Sequence, residues 1–266
     1  MSRTNLAILC LSLLALLAAT GCQKEQDTLQ FTEMEPGLSY ADSVVGTGAT
    51  ASPGDYVVVH YTGYLYDPED AGHNGHRGEK FDSSRDPDRL EPIVFPLGRH
   101  LVIPGWDKGL VGMKVGGKRT LVIGPDLAYG EQGRPPVIPG SSTLIFDTEL
   151  MDVPKVQIEV LEPGDGPVAQ VGDNVSVDYT GWLWENGAKG EQFDSSANSG
   201  RPFRFTIGRR MVIPGWDMAF EGMKVGEKAR LIIPPVLGYG KQGHPGAIPP
   251  NATLCFEVEL LSIEGK

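Results

Sequence analysis

The sequence predicts an α+β fold in two tandem domains, each an antiparallel β-sheet with one short α-helix covering its apolar face. Three observations predict it. The hexapeptide VIPGWD occurs twice, at Val102–Asp107 and at Val212–Asp217. Strand-like stretches alternate apolar and polar residues, the pattern of a sheet wet on one face. Helical spacing is brief in each copy: Trp106, Leu110 and Met113 share one face before Lys114-Val115-Gly116-Gly117 stops the run.

The duplication extends well beyond the hexapeptide. YTG begins at Tyr61 and Tyr179, FDSS at Phe81 and Phe193, and GMKVG at Gly112 and Gly222. From VIPGWD onward the copies run in register without a gap, and the extra residues of the first copy fall in two places upstream of it. Insertions confined in this way read as surface loops on a shared scaffold. In the second copy Val175, Val177 and Tyr179 alternate with Ser176, Asp178 and Thr180, and Leu254, Phe256, Val258 and Leu260 with Cys255, Glu257 and Glu259. The first copy repeats the latter pattern, with Leu144, Phe146 and Leu150 inward and Ile145, Asp147 and Glu149 outward. A narrow boundary at Pro154-Lys155 separates the strand patterns, so the domains are expected to lie close together.

Composition and charge bound the function. Glycine (35) and proline (21) are abundant, as suits a turn-rich β protein. A net charge of −11 argues against binding nucleic-acid phosphates. Residues 1–22 read as a signal segment: Arg3 precedes an apolar run from Leu6 to Ala19, too short for a membrane span, which ends in Ala19-Thr20-Gly21-Cys22. This end resembles the lipobox of bacterial lipoproteins, whose cysteine is acylated, although Ala19 stands where leucine is usual. The resemblance implies lipidation at Cys22 and a membrane lipoprotein of the bacterial cell envelope, facing the periplasm or exterior. Residues 23–35 then read as a flexible tether, 36–153 as domain 1 and 154–266 as domain 2. With Cys10 in the signal and Cys22 carrying lipid, Cys255 alone remains, so no intrachain disulfide is expected. His73 and His76, in the long loop of the first copy, are read as part of a solvated loop and not as a metal site.

Taken together and in this order, YTG, FDSS, VIPGWD, GMKVG and GHPGAIPPNATL resemble the FKBP-type peptidyl-prolyl cis-trans isomerases. The likeness covers Pro36 to Val153 and Val156 to Glu264. It implies a twisted sheet wrapped around the short helix, with an apolar pocket between them. In the second copy it places Tyr179, Phe193, Asp194, Ile213, Trp216, Tyr239 and Phe256 in a catalytic pocket, with Phe203, Val212, His244 and Ile248 binding substrate. Trp216 is the implied floor, and the Ile213 N–H the donor to a substrate carbonyl. The matching first-copy positions are Tyr61, Phe81, Asp82, Ile103, Trp106, Tyr129 and Phe146, with Val102 and Ile138 binding substrate. There Ile93 replaces the second phenylalanine. Ser199 stands near the place where a pocket arginine is common, which leaves Asp194 less firmly held. Ala247 is smaller than the usual aliphatic residue. Arg134 and Pro136 stand where the second copy has His244 and Gly246, so the first flap is expected to differ in geometry.

The residue types suit the implied chemistry. Rotation about a peptide bond costs about 18–20 kcal/mol because twisting destroys amide resonance. No bond breaks, so the reaction calls for no nucleophile, metal or cofactor. It calls for an apolar, dewetted cavity that favours the twisted amide, and for a few fixed donors that orient the chain. The expected partners are proline-containing unfolded or exported polypeptides, with macrolide immunosuppressants as further ligands. The second domain is expected to be the stronger isomerase. The competing reading is a non-enzymatic proline-binding or chaperone module. Hydrolase chemistry is disfavoured because no Ser/His/Asp or Cys/His set recurs between the copies.

Overall fold

The alternating stretches pair into one antiparallel sheet per repeat in the computed structural model, which describes residues 29–70 and 75–266. In the first repeat the strands are β1 (Thr32–Glu35), β2 (Leu38–Val44), β3 (Tyr56–Tyr66), β4 (Arg77–Ser83) and β5 (Ile93–Pro96). Helix α1 (Pro104–Gly109) follows, then β6 (Lys118–Ile123) and β7 (Leu144–Asp152). The sheet order is β1-β2-β6-β7-β3-β4, with β5 pairing β3. The second repeat contains β8 (Gln157–Glu162), β9 (Asn174–Glu185), β10 (Ala188–Ser195), β11 (Phe203–Thr206), α2 (Pro214–Phe220), β12 (Lys228–Ile233) and β13 (Leu254–Ile263). Its order is β10-β9-β13-β12-β8, with β11 pairing β9. The fold is the α+β, two-domain arrangement expected. Cys10, Cys22 and His73 lie outside the described residues, as does the tether from 23 to 28. Among the described residues no helix is long and apolar enough to cross a membrane.

Each helix is where the apolar faces close. Leu121, Ile123, Leu144, Phe146 and Leu150 are buried beneath α1, and Leu231, Ile233, Leu254, Phe256 and Leu260 beneath α2. The glycine of VIPGWD permits this approach. A Cβ on Gly105 would sit 2.4 Å from Ile123 Cγ2, and one on Gly215 2.5 Å from Ile233 Cγ2. Proline at the first helical position fits because its missing N–H has no intrahelical partner there.

Three expectations are corrected. The end of the tether is ordered strand: Thr32–Glu35 pairs antiparallel with β2, so the boundary placed at 36 falls inside a hairpin. Leu110 and Met113 are buried as the spacing required, but α1 ends at Gly109. Beyond it the backbone pairs with an upstream loop, Ala51 N donating to Met113 O at 2.8 Å and Gly112 N to Ala51 O at 2.9 Å, and this pairing takes the place of another helical turn. Finally, Ile145 and Cys255, read as outward, are both fully buried. Around Cys255 the outer face carries Trp182 directly opposite and the Lys189 ammonium 3.9 Å over that indole, so a long amphipathic side chain covers the strip.

The domains touch, as their short connection required. Tyr56 of β3 is buried against the core of the second domain, and Val94 of β5 packs there too. Arg99 makes two hydrogen bonds to Glu221, at 2.9 and 2.6 Å, and Lys155 pairs with Asp55. Exposed ion pairs of this kind contribute little. The buried aromatic ring is the stronger element of the contact.

Candidate functional site

Two nearly identical aromatic boxes lie between sheet and helix. In the second domain β9 supplies Tyr179, β10 Phe193, β13 Phe256 and α2 Trp216. The Trp216 ring meets Tyr179 edge-on at 5.1 Å between centroids and Phe256 at 5.2 Å. Phe193 meets Phe256 at 5.5 Å. The first domain repeats this with Tyr61–Trp106 at 5.0 Å, Trp106–Phe146 at 5.1 Å and Phe81–Phe146 at 5.5 Å. Such edge-to-face contacts each add about 0.5–1.5 kcal/mol beyond area burial and fix the ring orientations. Both indoles are 4 % exposed, and each buries its Nε1–H without a partner among the described residues. Phe95 and Phe205, which sequence reasoning did not single out, support the indoles from behind at 5.7 Å.

The YTG glycine lets the two phenyl rings close. A Cβ on Gly181 would lie 2.7 Å from both Phe193 Cζ and Phe256 Cε1, and one on Gly63 2.6 Å from Phe81 Cζ. FDSS has divided duties. Its aspartate accepts a hydrogen bond from the tyrosine hydroxyl, Tyr61 to Asp82 at 2.6 Å and Tyr179 to Asp194 at 2.5 Å. Its serines hold the same tyrosine by the backbone: Tyr61 N donates to Ser84 Oγ at 2.9 Å and Ser83 Oγ to Tyr61 O at 3.0 Å. Tyr179 is held likewise by Ser196 and Ser195. Burial, reinforced by the bond to Asp82, pushes the Tyr61 phenol up to about 12, and burial with Asp194 pushes the Tyr179 phenol up as well. Both therefore stay protonated donors at neutral pH.

The last residue of VIPGWD is structural. Asp107 and Asp217 are 5 % exposed and accept from the loop that leads into each helix. Gly98 N and His100 N each donate to Asp107 at 2.8 Å, and Gly208 N and Arg210 N to Asp217 at 2.8 and 3.2 Å. The loop so held presents Val102 and Ile103, or Val212 and Ile213, at the pocket wall. The backbone N–H groups of Ile103 and Ile213 have no acceptor among the described residues, and each isoleucine carbonyl accepts from the helix, Ile103 from Trp106 N and Ile213 from Trp216 N, both at 2.9 Å. Each pocket thus keeps one backbone donor available.

The flaps share one frame despite their sequences. Arg134 N donates to Ile138 O and His244 N to Ile248 O, both at 2.8 Å. The turn closes with Val137 N to Arg134 O and Ala247 N to His244 O, both at 3.1 Å. The geometry expected to differ does so only inside the turn, where Gly246 has φ +81° and the Pro135-Pro136 peptide is cis. These are the type II and type VI solutions to the same reversal. Ile138 and Ile248 are buried wall residues, 2 % and 6 % exposed. Tyr129 leans on its core, whereas Tyr239 is 38 % exposed and meets the His244 ring edge-on at 5.7 Å. His76, outside both pockets, stacks on Tyr66 at 4.9 Å, and its Nδ1 lies 3.0 Å from the Asp67 carbonyl.

The pockets differ most at the carboxylate. Arg89, unrecognised in the sequence, donates to Asp82 at 2.7 Å and reaches the Tyr61 hydroxyl at 3.5 Å. It precedes Ile93 by as many residues as Ser199 precedes Phe203, which is the signal that could have found it. Ser199 instead bonds the Ser196 and Arg201 carbonyls. Phe203 stands edge-on to Tyr179 and Trp216, both at 6.0 Å, where Ile93 leaves the first pocket without a ring.

Each domain thus offers an apolar aromatic box with a tyrosine–aspartate pair at its rim and an available backbone donor at its wall. The family model described as FKBP-type peptidyl-prolyl cis-trans isomerase matches residues 48–151 and 166–261, and the chain belongs to that family. It is 39% identical over 216 residues to Peptidyl-prolyl cis-trans isomerase FKBP10 of Homo sapiens, covering 79% of this chain and 34% of that protein. It is 37% identical over 216 residues to Peptidyl-prolyl cis-trans isomerase FKBP9 of Homo sapiens, covering 79% of this chain and 35% of that protein. The chain thus spans about a third of these curated relatives' length. FK506-binding protein 1 of Gibberella zeae is 52% identical over 109 residues, 41% of this chain and 97% of that protein. The crystal structure of the three FKBP domains of wheat FKBP73 aligns with a TM-score of 0.41 at 29% identity, covering 88% of this chain and 98% of that one.

Proposed function

We propose that this chain is a tandem-domain peptidyl-prolyl cis-trans isomerase that assists the folding of exported polypeptides, held to a bacterial envelope membrane by lipid on Cys22. The observation that carries the enzymatic part is the convergence, in each domain, of an aromatic box and donors with no partner among the described residues. In the second domain these donors are the Ile213 N–H and the Tyr239 hydroxyl. The envelope part is supported by the sequence of residues 1–22 alone.

A prolyl amide entering the box exchanges water for aromatic and aliphatic surface. Its planar forms are more dipolar at the carbonyl than the twisted form, so the apolar wall favours the twisted one. The Ile213 N–H takes the carbonyl oxygen and fixes the peptide's direction. Tyr179 and Asp194 hold the rim and do not exchange protons with the substrate, because the phenol is held protonated. A 10⁶-fold acceleration requires about 8 kcal/mol of differential binding, within the reach of such a pocket. Macrolide ligands of this family would occupy the same box. The second domain is the stronger isomerase on this reading, since it keeps the Phe203 ring against Tyr179 and Trp216.

The test is cis–trans exchange in a short X-Pro peptide with the chain lacking residues 1–22. Acceleration supports catalysis, and peptide binding with no acceleration leaves a non-enzymatic binder. Mass spectrometry of the mature N-terminus tests the anchor: an unmodified Cys22, or cleavage elsewhere, overturns it.

A further inference from the structure

We infer that the second pocket selects proline segments flanked by cationic residues, because Asp194 carries a carboxylate charge that no neighbouring cation neutralises. The inference rests on the isomerase-family reading of the pocket and adds a substrate class to it.

The two copies supply the comparison. In the first, the Arg89 guanidinium lies 2.7 Å from Asp82, so the rim presents a neutral pair. In the second, Asp194 is exposed and accepts only uncharged donors: the Tyr179 hydroxyl at 2.5 Å and the Ser195 N–H at 2.8 Å. Among the described residues no lysine, arginine or histidine comes within ion-pair distance of it, since the structural counterpart of Arg89 is Ser199. Arg201 and Arg204 border the same cleft. Arg204 follows Phe203 on β11 and by strand alternation points to the opposite face, where it lines a groove with Ser176 and Glu264. Arg201 shares the outer face of the sheet with Asp178, Glu257 and Glu259. Neither guanidinium pairs with Asp194.

The charge lies at the mouth of the pocket. Phe203 and Tyr239, which flank it, are 39 % and 38 % exposed, and burial followed by the Asp194 carboxylate pushes the Tyr239 phenol up, so the carboxylate acts on the pocket's hydroxyl. A residue beside a proline seated on Trp216 therefore passes through the field of Asp194. The field is local: Arg89 offsets it in the first pocket, where Tyr61, Phe81, Trp106 and Phe146 keep the arrangement of their second-domain counterparts and Ile93 stands in place of Phe203.

The experiment compares two peptides that differ only in lysine or glutamate beside the proline, in both isomerase kinetics and binding titration, with the chain lacking residues 1–22. At a solvent-exposed rim, reversing one unit charge changes kcat/KM and affinity by about five- to tenfold at low salt, in favour of lysine. Ser199→Arg should bring that ratio towards one, as should the near-isosteric Asp194→Asn, while Arg89→Ser should raise it by opening the same charge in the first pocket. Loss of fold would abolish binding and turnover of both peptides and is recognised by that, so the ratio is read only for variants that still bind, where it reports charge selection. A ratio near one in the unaltered chain, or one unchanged by both Ser199→Arg and Asp194→Asn, overturns the inference. Binding that prefers lysine with no acceleration of either peptide would sink the enzymatic reading and keep this one.

Discussion

Adding one methyl group at Gly181 probes how closely the pocket wall is built. The Cβ of an alanine there would lie 2.7 Å from Phe193 Cζ, 2.7 Å from Phe256 Cε1 and 2.8 Å from Phe193 Cε2. Carbon atoms settle at about 3.5–4.0 Å, so each ring must withdraw by more than half an ångström. Neither has free room: Phe256 is wedged edge-on against Trp216 at 5.2 Å, and Phe193 against Phe256 at 5.5 Å. Overpacking of this kind costs about 1–3 kcal/mol, and here the displaced atoms are the substrate-facing wall. We expect Gly181→Ala to lower the unfolding free energy by that amount, read as a lower denaturant midpoint at unchanged m-value. Combined with Gly63→Ala, where the matching contact is 2.6 Å to Phe81, it should cut kcat/KM for an X-Pro peptide by about tenfold or more, since each tenfold corresponds to about 1.4 kcal/mol. Unchanged stability together with unchanged kcat/KM would refute the claim that close ring packing over this glycine shapes the site.

Asp217→Asn should destabilise the second domain by about 1–3 kcal/mol, because Gly208 N and Arg210 N donate to separate carboxylate oxygens and the amide replaces one of these with an NH2 donor; chemical denaturation measures it, and an unchanged midpoint contradicts the structural role. The Tyr61 phenol, pushed up to about 12 by burial and then by Asp82, gives a pH effect of defined sign. Its folded value exceeds the unfolded one, so its contribution is fully present below pH 10 and is lost as pH rises towards 12. At about 1.4 kcal/mol per unit, that contribution is on the order of 2–3 kcal/mol. Tyr61→Phe should flatten this part of the alkaline stability profile, and spectrophotometric titration should show one tyrosine fewer ionising late.

Much of the fold is legible in the sequence itself. The inward set Leu254, Phe256, Val258 and Leu260 follows from period-two alternation and is buried accordingly. The pocket roster requires the family resemblance, because Trp106 and Trp216 taken singly look like ordinary core residues. The features that escape a sequence reading depend on tertiary partners. Ile145 and Cys255 sit at outward positions of the alternation, and only the side chains crossing the outer face bury them. Met113 keeps helical spacing, yet its backbone pairs with Ala51, a contact that local periodicity does not encode. Thr32–Glu35 is polar and acidic like a tether, and it becomes strand because β2 offers it an open edge. Arg89 is hidden by the loop insertion that shifts it relative to FDSS, although its distance from Ile93 matches that of Ser199 from Phe203. Pro136 is incompatible with the geometry at Gly246, as its fixed φ implies, but the flap keeps its hydrogen bonds by another turn type.

The exchange rate of an X-Pro peptide with the chain lacking residues 1–22 tests the proposed catalysis most directly. That rate is measured for the unaltered pockets, for Tyr239→Phe with Asp194→Ala, and for Tyr129→Phe with Asp82→Ala. The expected result is acceleration by the unaltered chain, and a larger loss from the second-domain pair than from the first. Exchange no faster than in buffer would contradict it.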